Sequence, residues 1–94
     1  MATIELREVA RPDNRDFEPV DLGNGVVLNF IMRSEDGRRV IRGTAVRGGK
    51  EIGYGSWNEE YGRFSMHVEF SDKYDSREVT EAIYSGLMQI LGNK

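Results

Sequence analysis

Residues 26–57 read VVLNFIMRSEDGRRVIRGTAVRGGKEIGYGSW. β-Branched and aromatic residues recur in three runs of this stretch, which lie at 26–33, 40–47 and 51–57. The runs are separated by Asp36-Gly37 and Gly48-Gly49, dipeptides that favour tight two-residue hairpin turns. A further turn and an alternating run at 64–70 continue the pattern. The sequence therefore predicts four consecutive antiparallel strands, a β-meander.

The period of the apolar residues changes after residue 74. Asp75 lies three residues before Glu78, the spacing of a helix-capping box. Apolar side chains then recur at helical spacing: Val79, Ile83, Tyr84, Leu87, Met88 and Leu91. Gly92 follows as a C-terminal cap, so we predict a helix over 76–91. The predicted fold class is α+β: an antiparallel four- to five-stranded β-meander with one C-terminal α-helix packed on one face.

The first 25 residues carry weaker signals. Residues 3–9 alternate apolar and polar side chains, and we predict an edge strand there. Residues 10–25 are rich in Pro, Gly, Asp and Asn, so we predict a long loop that is anchored on the core by Phe17, Val20 and Leu22. With 94 residues the chain fits a single domain, 1–94.

The composition restricts the classes of function. The chain has no cysteine, which excludes disulfides, thiolate nucleophiles and sulfur-ligated zinc. Charges near residue 1 interrupt the apolar run that a signal peptide needs, and no stretch is apolar for long enough to form a membrane helix. We therefore expect a cytoplasmic protein without a membrane partner. The net charge is −3, with a basic stretch over 33–50 that we interpret as solvated hairpin turns, contact with phosphates being the alternative.

Two-residue turns fix the register of the strands that they join. Phe30 is then predicted to face Gly43, and Gly43 to face Tyr54, on the side of the sheet that the helix covers. The fourth strand is predicted to present four apolar side chains to the helix: Phe64, Met66, Val68 and Phe70. The opposite side carries apolar residues without a cover, which indicates a contact surface. The predicted interface consists of Ile31, Val40, Val46 and Trp57.

The same register predicts a trough on the side without the helix. Gly53 and Gly55 alternate on one strand there and leave it without side chains. We predict a binding site around the trough, formed by Arg42, Thr44, Trp57, Arg63, Ser65 and His67. Glycines that only permit strand twist or a β-bulge are the alternative interpretation.

We expect no catalytic site, no metal and no cofactor. Ser65, His67 and Glu69 project from one predicted face, but same-face residues of a strand are roughly 6.5–7 Å apart, too far for a triad of short side chains. The acidic residues of 10–25 do not have the spacing of a calcium loop. Gly48-Gly49-Lys50 lacks the pattern of a phosphate-binding loop.

Three functions follow from these features. The first is a small non-catalytic protein-interaction module that binds a protein partner or itself through the helix-free sheet face, with a homodimer as the expected form. The second is binding of single-stranded nucleic acid on that face, with Trp57 stacking on bases and Arg33, Arg42 and Arg63 contacting phosphates. By element order over 26–91, the chain resembles the transcriptional coactivator fold that binds single-stranded DNA, which implies the same ligand. The third is an enzyme of unknown type.

Overall fold

The structure is a computed structural model; it describes residues 4, 6 and 14–92, which fold as a six-stranded antiparallel sheet with one α-helix on one side. In chain order the elements are β1 Asn14–Asp16, β2 Val20–Gly23, β3 Val26–Glu35, β4 Arg38–Arg47, β5 Lys50–Asn58, β6 Arg63–Val68 and α1 Ser76–Gly92. β3 to β6 pair in sequence order, and β1 and β2 both pair with the outer edge of β3. The predicted α+β class, an antiparallel sheet with one C-terminal helix, is confirmed.

Strands β1 and β2 lie in the segment that was predicted as a loop over 10–25, so the loop prediction is wrong at these strands. Both are short, and Pro19, which has no N–H to donate to a ladder, lies in the gap between them. The Phe17 N–H in the same gap donates to the Phe30 carbonyl at 3.2 Å, which keeps the segment on the sheet. The three predicted anchors are confirmed as contacts of the core: Phe17, Val20 and Leu22.

The predicted strand over 3–9 lies outside the described residues except for Ile4 and Leu6, which are not in a strand. Both are bound by the side-chain amide of Gln89 in α1. Gln89 Oε1 accepts the Leu6 N–H at 3.4 Å, and Gln89 Nε2 donates to the Ile4 carbonyl. Because Ile4 is also buried, these residues belong to the helix side of the sheet.

A β-bulge between β4 and β5 changes the predicted faces of the third predicted strand. The register of β3 on β4 is confirmed, with Phe30 opposite Gly43. Beyond the Gly48-Gly49 turn, Val46 pairs with Glu51, but Ala45 pairs with Gly53, so Ile52 is one extra residue. The predicted pairing of Gly43 with Tyr54 is therefore wrong by one residue. A one-residue shift moves every later side chain of the strand to the other face.

The bulge places a glycine directly beneath α1. Gly55, not Tyr54, is opposite Gly43. A Cβ on Gly55 would lie 2.7 Å from Ile83 Cγ2 and 2.9 Å from Leu87 Cδ1, both in α1. Ile52 keeps its side chain buried at the bulge. The extra residue therefore satisfies two requirements, an apolar side chain in the core and a bare backbone under the helix.

The helix begins at a cap that the sequence predicts. Asp75 Oδ1 accepts the backbone N–H groups of Arg77 at 3.0 Å and Glu78 at 3.2 Å. The buried face of α1 then packs on β3 to β6 through Val79, Ala82, Ile83, Gly86, Leu87 and Ile90. The predicted helix boundaries are confirmed to within one residue.

Most of the apolar residues predicted on β6 contact the core, but Phe70 does not. Phe64, Met66 and Val68 are partly buried against it. Phe70 lies beyond the last residue of β6 and is 90% exposed, so its predicted contact with the helix is wrong. Alternation along a strand determines the direction of a side chain only within the strand, and β6 ends at Val68.

Candidate functional site on the helix-free face

The side of the sheet that points away from α1 is here called the helix-free face. Its residues are identified by alternation from the buried positions of each strand and by the cross-strand pairs. On β3 to β6 they are Val27, Asn29, Ile31, Arg33, Val40, Arg42, Thr44, Val46, Glu51, Tyr54, Ser56, Asn58, Arg63, Ser65 and His67. No described element packs over them.

The structure brings five of the six predicted site residues together on this face. Thr44 and Arg42 lie on β4, and their register continues through β5 to His67 and Ser65 on β6. Arg63 lies at the start of β6 on the same side.

Trp57 is the predicted residue that lies elsewhere. It pairs with Ile41 and Phe64 on the helix side, and its ring lies 6.3 Å from that of Phe64. Gly53 and Gly55 lie on the helix side as well, so no glycine trough exists on the helix-free face within the described strands. The predictions for Trp57 and the trough are wrong because the bulge at Ile52 exchanges the two faces.

Tyr54 occupies the position at which the sequence predicted bare backbone. It pairs with Thr44 on one side and His67 on the other, and the Tyr54 and His67 rings are 6.1 Å apart at 37°. Arg42 Cζ lies 5.4 Å from the centre of the Tyr54 ring, within the range of a cation–π contact. One sequence signal could have revealed the face on which Tyr54 lies. After the Gly48-Gly49 turn, an apolar residue, Ile52, is followed directly by a glycine, and such a sequence accommodates a bulge.

Apolar side chains lie at both ends of this polar centre. Val27 and Val46 are directly paired near the β4–β5 turn. Ile31 and Val40 lie nearer the β3–β4 turn on adjacent strands, and they are 36% and 39% exposed. Exposed β-branched side chains on a face without a cover are typical of contact surfaces.

Charge is distributed unequally along the helix-free face. Arg33, Arg42 and Arg63 lie towards the β3–β4 turn, whereas Asp21 and Glu51 lie beside Val27 and Val46 at the other end. Arg33 Nη1 forms an ion pair with Asp16 at 2.8 Å. Among the described residues, Arg42 and Arg63 have no carboxylate partner. The face is therefore basic at one end and acidic at the other.

Two of the three side chains that were considered as a triad lie on this face. Ser65 and His67 are exposed on it, but Glu69 follows the end of β6 and its carboxylate lies 3.7 Å from Lys50 Nζ. Within residues 4, 6 and 14–92, no group of three or more His, Asp or Glu side chains could hold a metal ion. The helix that the structure describes is too short and too polar to span a bilayer.

The chain was compared with known proteins in three ways. No family model matches it, and no curated protein and no solved structure gives a significant match.

Proposed function

We propose that this protein is a non-catalytic interaction module that self-associates through the helix-free face. The observation that carries the proposal is the exposure of Ile31 and Val40 on a sheet face over which no described element packs. Burying these side chains against a second apolar surface is favourable, because each Å² of apolar area removed from water contributes about 25 cal/mol.

The charge distribution supports a particular two-fold arrangement. When two copies of the face meet with the two-fold axis lying across the strands at the level of Gly43, each strand lies over its own copy in reverse. Val40 of one copy then lies over Val46 of the other, and Arg63 lies beside Glu51 of the other. An axis along the strands would instead bring the basic ends together, which costs energy. Both arrangements are isologous, the common form of a homodimer, so the charges decide between them.

The first test is the mass of the protein in solution with Val40→Asp. The unchanged protein is expected to sediment as a dimer at high concentration and to dissociate on dilution. Val40→Asp buries a carboxylate in the contact and is expected to give a monomer whose circular dichroism spectrum is unchanged. Tyr61→Asp is the matched control, because Tyr61 is an exposed aromatic in the β5–β6 turn and lies off the face. A monomeric parent, or a dimer that Val40→Asp leaves intact, would oppose the proposal.

A second candidate function, binding of single-stranded nucleic acid, is supported by the Arg42 and Tyr54 pair. A flat ring and a guanidinium at its surface are the groups that stack on bases and contact phosphates. Tyr54 takes the role that the sequence assigned to Trp57. The net charge of −3 opposes long-range attraction of a polyanion, so we rank this candidate below self-association.

Titration with a labelled oligonucleotide at low salt tests the second candidate. Stacking on an aromatic ring is worth roughly 1–3 kcal/mol per base, so Tyr54→Ala is expected to weaken binding by roughly tenfold or more. Tyr61→Ala again serves as the control and is expected to leave the affinity unchanged. The absence of any signal at low salt, where phosphate contacts are strongest, would eliminate this function.

We place the proposed module in the cytoplasm. The support comes from the sequence, because a chain with no cysteine is compatible with a reducing compartment.

A further inference from the structure

A cleft on the helix side of the sheet, at the end where the β4–β5 turn lies, combines positive charge with an exposed aromatic ring. Its volume is about 300 Å³. It is lined by Arg47, Lys50, Ile52, Glu69, Phe70, Ser71, Lys73 and Tyr74. We call it the cationic cleft. It is formed because the chain leaves β6 and crosses to α1 over the bulge, where the Glu69 N–H donates to the Ile52 carbonyl at 2.8 Å.

Three cations from three segments of the chain line the cationic cleft. Arg47 ends β4, Lys50 begins β5, and Lys73 lies in the connection between β6 and α1. Glu69 is the carboxylate among the lining residues, and it lies 3.7 Å from Lys50 Nζ. The described lining residues therefore carry two positive charges in excess, in a protein whose net charge is −3. Like charges that converge on one cleft repel each other, and a bound anion removes that repulsion.

The donors of the cleft are held in place by contacts to the backbone. Arg47 Nε donates to the Asn24 carbonyl at 2.9 Å, which holds the guanidinium beside the β2–β3 turn. Ser71 Oγ accepts the Lys73 N–H at 3.2 Å, so its own hydroxyl hydrogen is available for donation. The Tyr74 hydroxyl donates to the Glu69 carbonyl at 2.9 Å and holds the wall of the cleft closed.

Phe70 supplies the apolar part of the cleft. It lines the cleft and is nevertheless 90% exposed, the highest exposure among the large apolar side chains that the structure describes. Leaving this much aromatic surface in water costs energy unless a ligand covers it. A flat ring that stacks on Phe70 would cover it, with its anionic substituent directed to the cations.

We propose that the cationic cleft binds a phosphate monoester attached to an aromatic base, the chemistry of a nucleoside monophosphate and of the 5′-phosphorylated end of a nucleic-acid strand. Arg47, Lys50 and Lys73 contact the phosphate, the Ser71 hydroxyl donates to one of its oxygens, and the base stacks on Phe70. The volume is at the lower end of the range for small-molecule sites, which suits one nucleotide rather than a longer segment. This site lies on the opposite side of the sheet from the helix-free face. The proposal of ligand binding therefore does not depend on the proposal of self-association.

The proposal is tested by nuclear magnetic resonance titration at low salt with adenosine monophosphate, adenosine and inorganic phosphate. Amide signals of 47–52 and 69–74 are expected to shift with the nucleotide at millimolar concentration, weakly with phosphate, and least with adenosine. Phe70→Ala is expected to weaken nucleotide binding by roughly tenfold and to leave phosphate binding unchanged. Lys73→Gln is expected to weaken both, because it removes a phosphate contact rather than the stacking surface.

Glu69→Gln is a variant for which we expect the opposite change in nucleotide affinity. It removes the one carboxylate among the described lining residues and is expected to tighten nucleotide binding, whereas a variant that merely damages the fold would weaken it. Oligonucleotides with and without a 5′-phosphate separate the two sources of the ligand, since only the phosphorylated strand is expected to compete. Unshifted amide signals with both the nucleotide and the phosphorylated strand would overturn the proposal, as would a Glu69→Gln variant that binds no more tightly.

Discussion

The ring of Phe30 lies between two glycines, and this arrangement sets how closely the helix approaches the sheet. Gly43 of β4 is on one side and Gly86 of α1 is on the other, and a Cβ at either position would overlap the ring. Gly86 is costly for a helix in isolation, since alanine there would favour the helix by up to about 1 kcal/mol. The contact with Phe30 must outweigh that preference.

We therefore expect Gly86→Ala to destabilise the protein despite its higher helix propensity. Forcing one carbon into a packed core costs about 1–3 kcal/mol, which is larger than the gain in propensity. Denaturant unfolding measures the effect. Gly92→Ala is the control, because open space surrounds Gly92 at the end of the same helix. A smaller side chain at position 30, Phe30→Leu, is expected to relieve the clash. The double variant with Gly86→Ala and Phe30→Leu should therefore lose less stability than the sum of the two single losses.

At the scale of the elements, the sequence predicts what depends on local signals. The hairpin turn at Asp36-Gly37 fixes the β3–β4 register, and the apolar period with the Asp75 cap fixes α1. β1 and β2 are not predicted, because strands this short give no alternation to detect and acquire their conformation only by pairing with β3.

The sequence predicts only part of the candidate site, because it does not determine whether the β4–β5 hairpin contains a bulge. A regular hairpin after Gly48-Gly49 and a hairpin with one bulged residue are both compatible with the local sequence. The choice between them depends on the packing of α1 on Gly55, a contact between residues far apart in the chain. Residues of β4 and β6 on the helix-free face are therefore placed correctly from sequence, while Tyr54 and Trp57 are exchanged.

At the scale of the whole molecule, the opposite charges at the two ends of the helix-free face predict a rescue by charge exchange. In the two-fold arrangement, Arg63 lies beside Glu51 of the other copy. Arg63→Glu alone is expected to weaken the dimer, and so is Glu51→Arg alone. The double variant restores opposite charges across the contact and is expected to recover most of the affinity.

Sedimentation of the four proteins at low and high salt measures this cycle. The difference between the parent and each single variant is expected to shrink at high salt, because screening weakens contacts between exposed charges. If the double variant is no tighter than the single variants, the axis across the strands is wrong, even where Val40→Asp still gives a monomer.

The contact between Gln89 and the backbone of Ile4 also has a kinetic meaning. Its partners are 85 residues apart in the chain, whereas β3, β4 and β5 are joined by two-residue turns. The entropic cost of closing a loop rises with the length of the loop. The short hairpins can therefore form before the Gln89 contact becomes favourable. We expect the Gln89 contact to form after the folding transition state. The contact then mainly slows unfolding. Its loss is expected to raise the unfolding rate and to leave the folding rate unchanged.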